Sequence, residues 1–228
     1  GWAYGLVGSA IFYSILGTGD ITSRLLLSLL VSIWGIRLGT FLLIDRVIKA
    51  KEEDGRYQNL RRHFGSKCGE KFFYFFQGQA LFVLFFSIPF FIVSTNLSPG
   101  LAVWDFLAIA IWSIAIVGEW ISDKQLASFR SNEVSKETVC KKGLWKYSRH
   151  PNYFFEWLHW WSYVALSVGS PLWWLALIGP IAMWYCLWKV TGIPYTEVQA
   201  LKSRGDAYRV YQKTTSPFFP WFPKESTE

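Results

Sequence analysis

Six apolar stretches account for more than half of the chain. They cover residues 2–18, 22–44, 75–96, 101–121, 153–170 and 172–190. Each is long enough, or nearly so, to cross about 30 Å of hydrocarbon at about 1.5 Å per residue. The stretches are continuous rather than alternating, so they do not have the pattern of a transmembrane β-barrel. They predict an all-α integral membrane protein with six visible transmembrane helices.

Composition supports the same class of protein. Of the 228 residues, 52% are hydrophobic and 17% are charged, whereas a soluble domain usually carries about 25% charged residues. The three cysteines, Cys68, Cys140 and Cys186, have no CxxC spacing and predict neither a disulfide framework nor a zinc site. No internal repeat or separate soluble domain is visible, so residues 1–228 are interpreted as a single transmembrane domain.

Lysine and arginine are distributed very unevenly among the connecting segments. Residues 45–74 hold eight, residues 122–152 hold seven and the tail 191–228 holds five, whereas the turns 17–21, 97–100 and 168–172 hold none. The positive-inside rule then assigns the three basic segments to the cytoplasm. The formal charge of +7 is explained by this topology, so no nucleic-acid partner is expected.

The segment from Lys141 to Glu156 carries the strongest functional signal. Proline suits the first turn of a helix, so the fifth apolar helix is predicted to start near Pro151. The free backbone N–H groups at that start, with Arg149 nearby, would attract an anion. Asn152 and Glu156 are four residues apart and share one helix face. An ordinary interfacial helix cap is the alternative interpretation.

Other polar residues also lie in or beside apolar stretches. Arg37 lies inside the second stretch, where a charged group usually faces a partner or a wet cavity, unless it reaches to the membrane surface. Further polar groups occur at the same predicted end of the third and fourth helices, and they indicate a pocket open to the cytoplasm: Gln77, Gln79, Glu119 and Asp123. His63, His150 and His159 do not follow a metal-binding or nucleophile motif, so no metal is expected.

Several motifs resemble the steroid 5-alpha-reductase family, and in particular its bacterial membrane branch. They are Gly143–Tyr153 with Glu156, Thr191–Glu197, Tyr208, Tyr211, Ser216–Trp221, the second-helix run Trp34–Thr40 and the loop Glu53–Tyr57. The resemblance covers nearly the whole chain. It implies seven membrane helices, one of them before Gly1, and NADPH held in the cytoplasmic half. Its bacterial branch implies a bacterial inner membrane.

The resemblance also implies an activity. Members of the family reduce the carbon–carbon double bond of a 3-oxo-4-ene steroid, so the expected substrate is a steroid or a related sterol-like lipid enone that enters from the bilayer. The segments 45–74, 122–152 and 191–228 would form the cofactor side. A hydride would reach the β-carbon of the enone, and a donor such as Arg37 would stabilise the negative charge on the ketone oxygen.

Site residues follow from the same likeness. Asp123 and Arg130 would bind the adenine-nucleotide part, while Asn152 and Glu156 would hold the nicotinamide. Tyr147, Arg149 and His150 would line the path of the pyrophosphate and ribose. Glu197 and Tyr208 would close over the cofactor. The complete expected cofactor set is Asp123, Arg130, Trp145, Tyr147, Arg149, His150, Asn152, Tyr153, Glu156, Glu197 and Tyr208, and the expected catalytic set is Trp34, Arg37 and Glu156.

The chain departs from the family pattern at two visible positions. Phe155 stands where the family often has glycine, and Glu119 stands where the animal enzymes carry asparagine. The animal enzymes also use an early acidic residue and a second-helix tyrosine at the ketone. That acidic residue would lie before Gly1, so the proton donor is not assigned.

Two other functional classes remain open. A membrane methyltransferase of the isoprenylcysteine carboxyl type also uses an Arg-His-Pro-x-Tyr element and a C-terminal acidic residue, but with S-adenosylmethionine. Its paired Glu-Glu is Thr196-Glu197 here, which favours the reductase. A non-enzymatic lipid-binding protein would leave Arg149, Asn152 and Glu156 without a purpose.

Overall fold

The regular structure of the chain is helical. The computed structural model describes residues 1–44, 48, 55–131 and 138–225, and within these ranges it has no β-strand. The helices are α1 (Trp2–Leu16), α2 (Ile21–Leu43), α3 (Gly55–Phe64), α4 (Cys68–Phe86), α5 (Ile88–Val93), α6 (Val103–Ser131), α7 (Pro151–Ser167), α8 (Ile178–Tyr185), α9 (Ile193–Arg204) and α10 (Asp206–Thr214). The all-α prediction is confirmed. Glu53 and Asp54, from the predicted loop motif, lie outside the described residues.

Four helical segments in the described ranges are long and apolar enough to cross a membrane. They are Ile21–Leu43, Cys68–Val93, Val103–Ser131 and Trp173–Arg204. Helix α1 has 15 residues and α7 has 17, so at about 1.5 Å per residue each is shorter than a hydrocarbon core of about 30 Å. The predicted count of six spans is therefore not confirmed.

Helix α2 has an exposed apolar face. Leu25, Leu29, Ile33 and Ile36 are exposed, and their spacing places them on one face of the helix. An exposed apolar face of this length would be costly in water but suits lipid. Together with the four long apolar segments, it makes the chain an integral membrane protein.

The basic segments contain more helix than the apolar pattern predicts. Helix α3 and the first turns of α4 lie within 45–74, and α6 continues to Ser131 inside 122–152. The tail 191–228 contains α9 and α10. These helices have polar faces, so a search for long apolar runs does not find them.

The described chain forms two compact units. The first contains residues 1–102 and 166–178, and the second contains residues 103–165 and 179–228. The first unit therefore holds α1 to α5, and the second holds α6, most of α7 and the helices after it. The prediction of a single transmembrane domain stays a prediction.

In the first unit, two glycines let α1 approach α2 closely. A Cβ at Gly35 would lie 2.5 Å from Cγ2 of Val7, and a Cβ at Gly39 would lie 2.8 Å from Cζ of Tyr4. Gly35 and Gly39 form a Gly-x-x-x-Gly pattern, which places two small residues on one helix face and favours close helix packing in lipid.

The same unit joins the three turns that lack lysine and arginine. Asp20 caps α2 by accepting a hydrogen bond from the backbone of Thr22, and its own N–H donates to Asn96 O at 2.6 Å. The Nδ2 of Asn96 donates to the carbonyl oxygens of Leu166 and Val168. The turns near 17–21, 97–100 and 168–172 therefore lie together, as a common membrane side for them requires.

Candidate functional site

The start of α7 is fixed by Ser148, three residues before the first helical residue. Pro151 is that first residue, so the predicted helix start is confirmed. The Oγ of Ser148 accepts a hydrogen bond from the N–H of His150 at 3.1 Å and donates to Phe218 O at 2.8 Å. Ser148 thus connects the helix start to the C-terminal tail.

Arg149 is buried and engages several acceptors. Its Nε donates to Oε1 of Glu197 at 2.7 Å, and its Nη1 donates to the carbonyl oxygens of Gln212 and Thr215 at 2.9 and 2.7 Å. Its backbone N–H donates to Ser216 O at 2.8 Å. Arg149 therefore links the start of α7 to α9 and to the end of α10, and its predicted contact with a pyrophosphate stays a prediction.

Glu197 is the acceptor at the centre of this cluster. Besides Arg149, the Nε2 of His150 lies 3.3 Å from Oε1, and Nε2 of Gln212 donates to Oε2 at 2.8 Å. Burial lowers the pKa of His150 below its ordinary value, although the Glu197 carboxylate acts in the opposite direction. The arrangement therefore pairs one guanidinium with one carboxylate beside a neutral imidazole.

Two tyrosines of α10 are buried beside the cluster. The hydroxyl of Tyr211 donates to the carbonyl oxygens of Trp145 and Ser148. Burial raises the pKa of both Tyr208 and Tyr211. Their hydroxyls are therefore neutral at physiological pH and act as hydrogen-bond donors.

Tyr147 and Tyr153 extend the cluster on either side of Arg149. The ring of Tyr153 stacks on His150 with a centroid separation of 5.3 Å, and its hydroxyl lies 3.0 Å from Oγ1 of Thr196. The carbonyl of Tyr147 accepts a hydrogen bond from the backbone of Trp221. The structure thus brings together much of the predicted cofactor set.

The loop before α7 docks on the C-terminal part of α6. Trp145 Nε1 donates to Ser122 O at 2.9 Å, and the Leu144 N–H donates to Oε1 of Gln125 at 2.9 Å. Gly143 has φ +60°, a conformation that side chains rarely adopt. Arg130 lies further along α6 and is exposed.

Helices α6 and α7 meet in an antiparallel register. Asn152 Nδ2 donates to Oδ1 of Asp123 at 3.3 Å. Deeper in the pair, the ring of Phe155 lies so close to Gly118 that a Cβ there would be 2.3 Å from it. Residue numbers therefore rise along α7 in the direction in which they fall along α6. The lack of a side chain at Gly118 leaves room for the Phe155 ring.

Polar residues line one side of this helix pair. Glu119 and Glu156 follow the contact residues Gly118 and Phe155, and both carboxylates are buried. One residue turns a helix by about 100°, and in an antiparallel pair this step moves both side chains to the same side of the contact. We call this side the polar groove; by helical spacing it is lined by Trp112, Glu119, Asp123, Asn152, Glu156, His159 and Tyr163.

His159 lies one turn beyond Glu156 and is fully buried. Its Nδ1 is 2.5 Å from Glu156 O and 3.8 Å from the carboxylate oxygen Oε2. Because a carbonyl oxygen can only accept, Nδ1 carries the hydrogen of this bond. The polar groove thus runs from the start of α7 into its apolar part.

Trp34 and Arg37 belong to the first unit. Trp34 is fully buried with its ring 5.9 Å from that of Trp2, and Arg37 is half-buried one turn later on α2. Their predicted catalytic role beside Glu156 stays a prediction. Among the described residues, no three His, Cys, Asp or Glu side chains gather as a metal site.

Several contact residues of the Arg149 cluster are absent from the expected set, among them Ser148, Tyr211, Gln212, Thr215 and Ser216. A sequence signal exists for Tyr211, because it follows Tyr208 by three residues and both lie on one face of a short amphipathic helix. A local signal also exists for Ser148, because its Oγ accepts from the N–H of His150 two residues later, a turn pattern common for serine. Nothing local marks Gln212, since its partner Glu197 is 15 residues away.

Comparisons with known proteins bear on the family but not on the reaction. No curated protein and no solved structure matches the chain. The profile of one family, described as protein of unknown function (DUF1295), matches residues 1–215. That match covers most of the chain and extends from α1 through α10, so the protein belongs to the DUF1295 family.

Proposed function

We propose that the protein uses NADPH to reduce the carbon–carbon double bond of a lipid enone, as the steroid 5-alpha-reductase family does, with a 3-oxo-4-ene steroid as the substrate class. The polar groove carries this proposal. Asn152 bonded to Asp123, with the Glu156 carboxylate buried one turn deeper, is an expensive arrangement in an apolar helix pair unless a polar ligand uses it.

The residues present suit NADPH. A nicotinamide carboxamide offers two N–H donors and one acceptor, and an asparagine one turn from a glutamate offers the complementary groups. The negatively charged phosphates would meet exposed lysines on the loop before α7, namely Lys141, Lys142 and Lys146. When bound, NADPH supplies the hydride, and the chain supplies orientation and a dry site.

The substrate half of the proposal rests on the apolar helices. An apolar enone can enter sideways from lipid, and hydride addition at its β-carbon leaves negative charge on the ketone oxygen. Arg37, with Trp34 beside it on α2, is the proposed donor to that oxygen. The α-carbon then takes a proton from water or a side chain, which completes the saturated ketone.

The lysine and arginine distribution supports a membrane placement for this chemistry. We propose a bacterial inner membrane, with the Arg149 cluster and the nucleotide on the cytoplasmic side. Helices α1 and α7 would cross the membrane as well, giving six spans in the visible chain. A basic cytoplasmic face would attract a nucleotide that carries several negative charges.

The direct test mixes purified protein in lipid nanodiscs with NADPH and testosterone or progesterone. We expect enone-dependent loss of the NADPH absorbance and a steroid product that has gained two hydrogens. Glu156→Gln should slow turnover by at least about tenfold, whereas Glu225→Gln, at an exposed tail position, should not. Absence of NADPH oxidation with every enone tried would contradict the proposal.

The pairing of Arg149 and His150 with Glu197 favours one second candidate. An Arg-His-Pro-x-Tyr element joined to a C-terminal acid is also what the isoprenylcysteine carboxyl type of methyltransferase uses. Isothermal titration with S-adenosylmethionine and with NADPH separates the two functions. Tight binding of the methyl donor, together with methyl ester formation, would establish this second candidate.

A further inference from the structure

The indole N–H of Trp112 is a buried polar group that makes no hydrogen bond within the described residues. It lies in the interior of α6, and its Nε1 is buried with no hydrogen-bond partner among the described residues. A buried donor without an acceptor costs free energy, because the N–H has lost its water and gained nothing in return. A bound ligand could supply the acceptor that the described residues do not provide.

Helical spacing places Trp112 in the polar groove. Glu119 follows it by seven residues and Asp123 by eleven, which is the spacing of one helix face. Asp123 accepts the hydrogen bond from Asn152, so this face of α6 is turned toward the groove side of α7. Trp112 is therefore the deepest of the groove residues on α6.

The antiparallel register of α6 and α7 shows how far Trp112 lies along the groove from the Gly118–Phe155 contact. Phe155 of α7 contacts Gly118 of α6, and six residues back along α6 correspond to six residues forward along α7. Trp112 is then about 9 Å deeper than Gly118 at about 1.5 Å per residue. At that level the groove side of α7 presents His159 and Tyr163.

Trp161 provides a contrast within the same helix pair. Its Nε1 is also buried without a hydrogen-bond partner in the described ranges, but its ring meets Trp157 edge to face at 5.8 Å and 82°. An aromatic face is a weak acceptor for an N–H group. Trp157 donates to Pro180 O, so this face of α7 is turned toward α8 and lies outside the groove.

We propose that the Trp112 N–H donates a hydrogen bond to the ketone oxygen of the lipid substrate. The inference rests on the proposed enone reduction. The nicotinamide would take the shallow end of the groove at Asn152 and Glu156, and the substrate oxygen its deep end. A neutral donor in a dry site binds more strongly as negative charge develops on that oxygen.

A donor at this position restricts the substrate to lipids that carry an oxygen acceptor. The ligand is an apolar lipid with an oxygen acceptor placed to reach the deep end of the groove, because a hydrocarbon would leave the N–H as unpaired as before. A hydroxyl oxygen accepts as a ketone does, but only a ketone conjugated to the double bond collects charge during reduction. The proposal therefore concerns the 3-keto group itself.

The test compares Trp112→Phe with Trp161→Phe, since each removes one buried indole N–H and keeps an aromatic ring. Equilibrium binding of a saturated 3-keto steroid and of the matching steroid hydrocarbon is measured in nanodiscs without NADPH. Trp112→Phe should weaken binding of the ketone about five- to tenfold and leave binding of the hydrocarbon unchanged. Trp161→Phe should change neither affinity.

Two results would overturn the proposal. If Trp112→Phe weakens binding of the ketone and of the hydrocarbon equally, Trp112 contributes only packing. If the affinity for the ketone is unchanged, water or another group accepts the hydrogen bond of the Trp112 N–H. Because the binding assay needs no turnover, it separates this inference from the proposed reaction. Ketone binding that depends on Trp112, in a wild-type protein that oxidises no NADPH with any enone, would support the subsite and refute the reductase.

Discussion

At the scale of single residues, the Arg149 guanidinium joins the start of α7 to α9 and to the end of α10. Replacing it by lysine keeps the charge but loses the planar geometry that reaches Glu197 and two carbonyl oxygens together. We expect Arg149→Lys to lower the free energy of unfolding by about 2–4 kcal/mol, because it leaves buried acceptors unpaired. Urea unfolding in detergent, followed by tryptophan fluorescence, measures this change.

The matched control is Arg209→Lys. Arg209 pairs with Asp206 at 3.0 Å, but the two side chains are 70% and 90% exposed. Water screens such a pair, so the control should change stability very little. Similar losses in both variants would show that the Arg149 cluster does not hold the second unit together.

His150 predicts a pH dependence of stability. Burial lowers its pKa in the folded chain below 6.5, so below about pH 6.5 the unfolded chain binds more protons than the folded one. The contribution of His150 is complete above that pH and is lost as pH falls toward the folded pKa. Thermal unfolding at several pH values should show that stability falls more steeply with decreasing pH in wild type than in His150→Gln.

The exposed His63 provides the control for this measurement. His63→Gln removes an imidazole that lies on the surface of α3. The loss of stability with decreasing pH should therefore be the same as in wild type. If wild type and His150→Gln lose stability in parallel over the same pH range, a group other than His150 is responsible.

At the scale of elements, the packing of α1 on α2 depends on two glycines. A Cβ at Gly35 would lie 2.5 Å from Val7, whose branched side chain has little freedom to move. Gly35→Ala is therefore expected to cost about 1–3 kcal/mol through overpacking. Thermal unfolding of the purified protein in detergent measures this loss.

Gly78→Ala, inside α4, is the matched substitution. Nothing lies within 4 Å of a Cβ built at Gly78, and alanine favours the helix over glycine. This variant should be as stable as wild type or slightly more so. Equal behaviour of the two alanine variants would contradict close packing at Gly35.

At the scale of the whole molecule, the charge distribution predicts which segments face the same side of the membrane. With Cys68, Cys140 and Cys186 replaced by serine, we expect Lys142→Cys to react with a membrane-impermeant thiol reagent only from the cytoplasmic side. Thr18→Cys should react only from the opposite side. Right-side-out and inverted vesicles distinguish the two, and labelling of both cysteines from one side would contradict the topology.

Patterns that repeat along the chain could be read directly. Long apolar runs predict membrane helices because hydrocarbon forces a backbone to satisfy its own hydrogen bonds. Pro151 marks the start of α7 because a proline has no N–H to lose there. The shared face of Asn152 and Glu156 likewise follows from the helix period, so each of these predictions uses only neighbouring residues.

Contacts between distant residues could not be read in this way. The resemblance gives Arg149 and Glu197 as members of one cofactor set, but it does not show that they bond to each other across 48 positions. A search for long apolar runs does not find α3, α9 and α10, because polar and charged residues interrupt all three helices. Gly118 facing Phe155 likewise depends on how α6 packs against α7.

The sequence by itself determined that the chain is an all-α membrane protein, where α7 begins and which polar residues share its face, because local periodicity and the solvent decide these features. Only the tertiary structure decided that Arg149 is held by Glu197 and two carbonyl oxygens, and that Trp112 lies in the same groove as Asn152. These facts depend on the register in which separate helices pack. That register is set by the side chains of both partners, and no single stretch of sequence contains it.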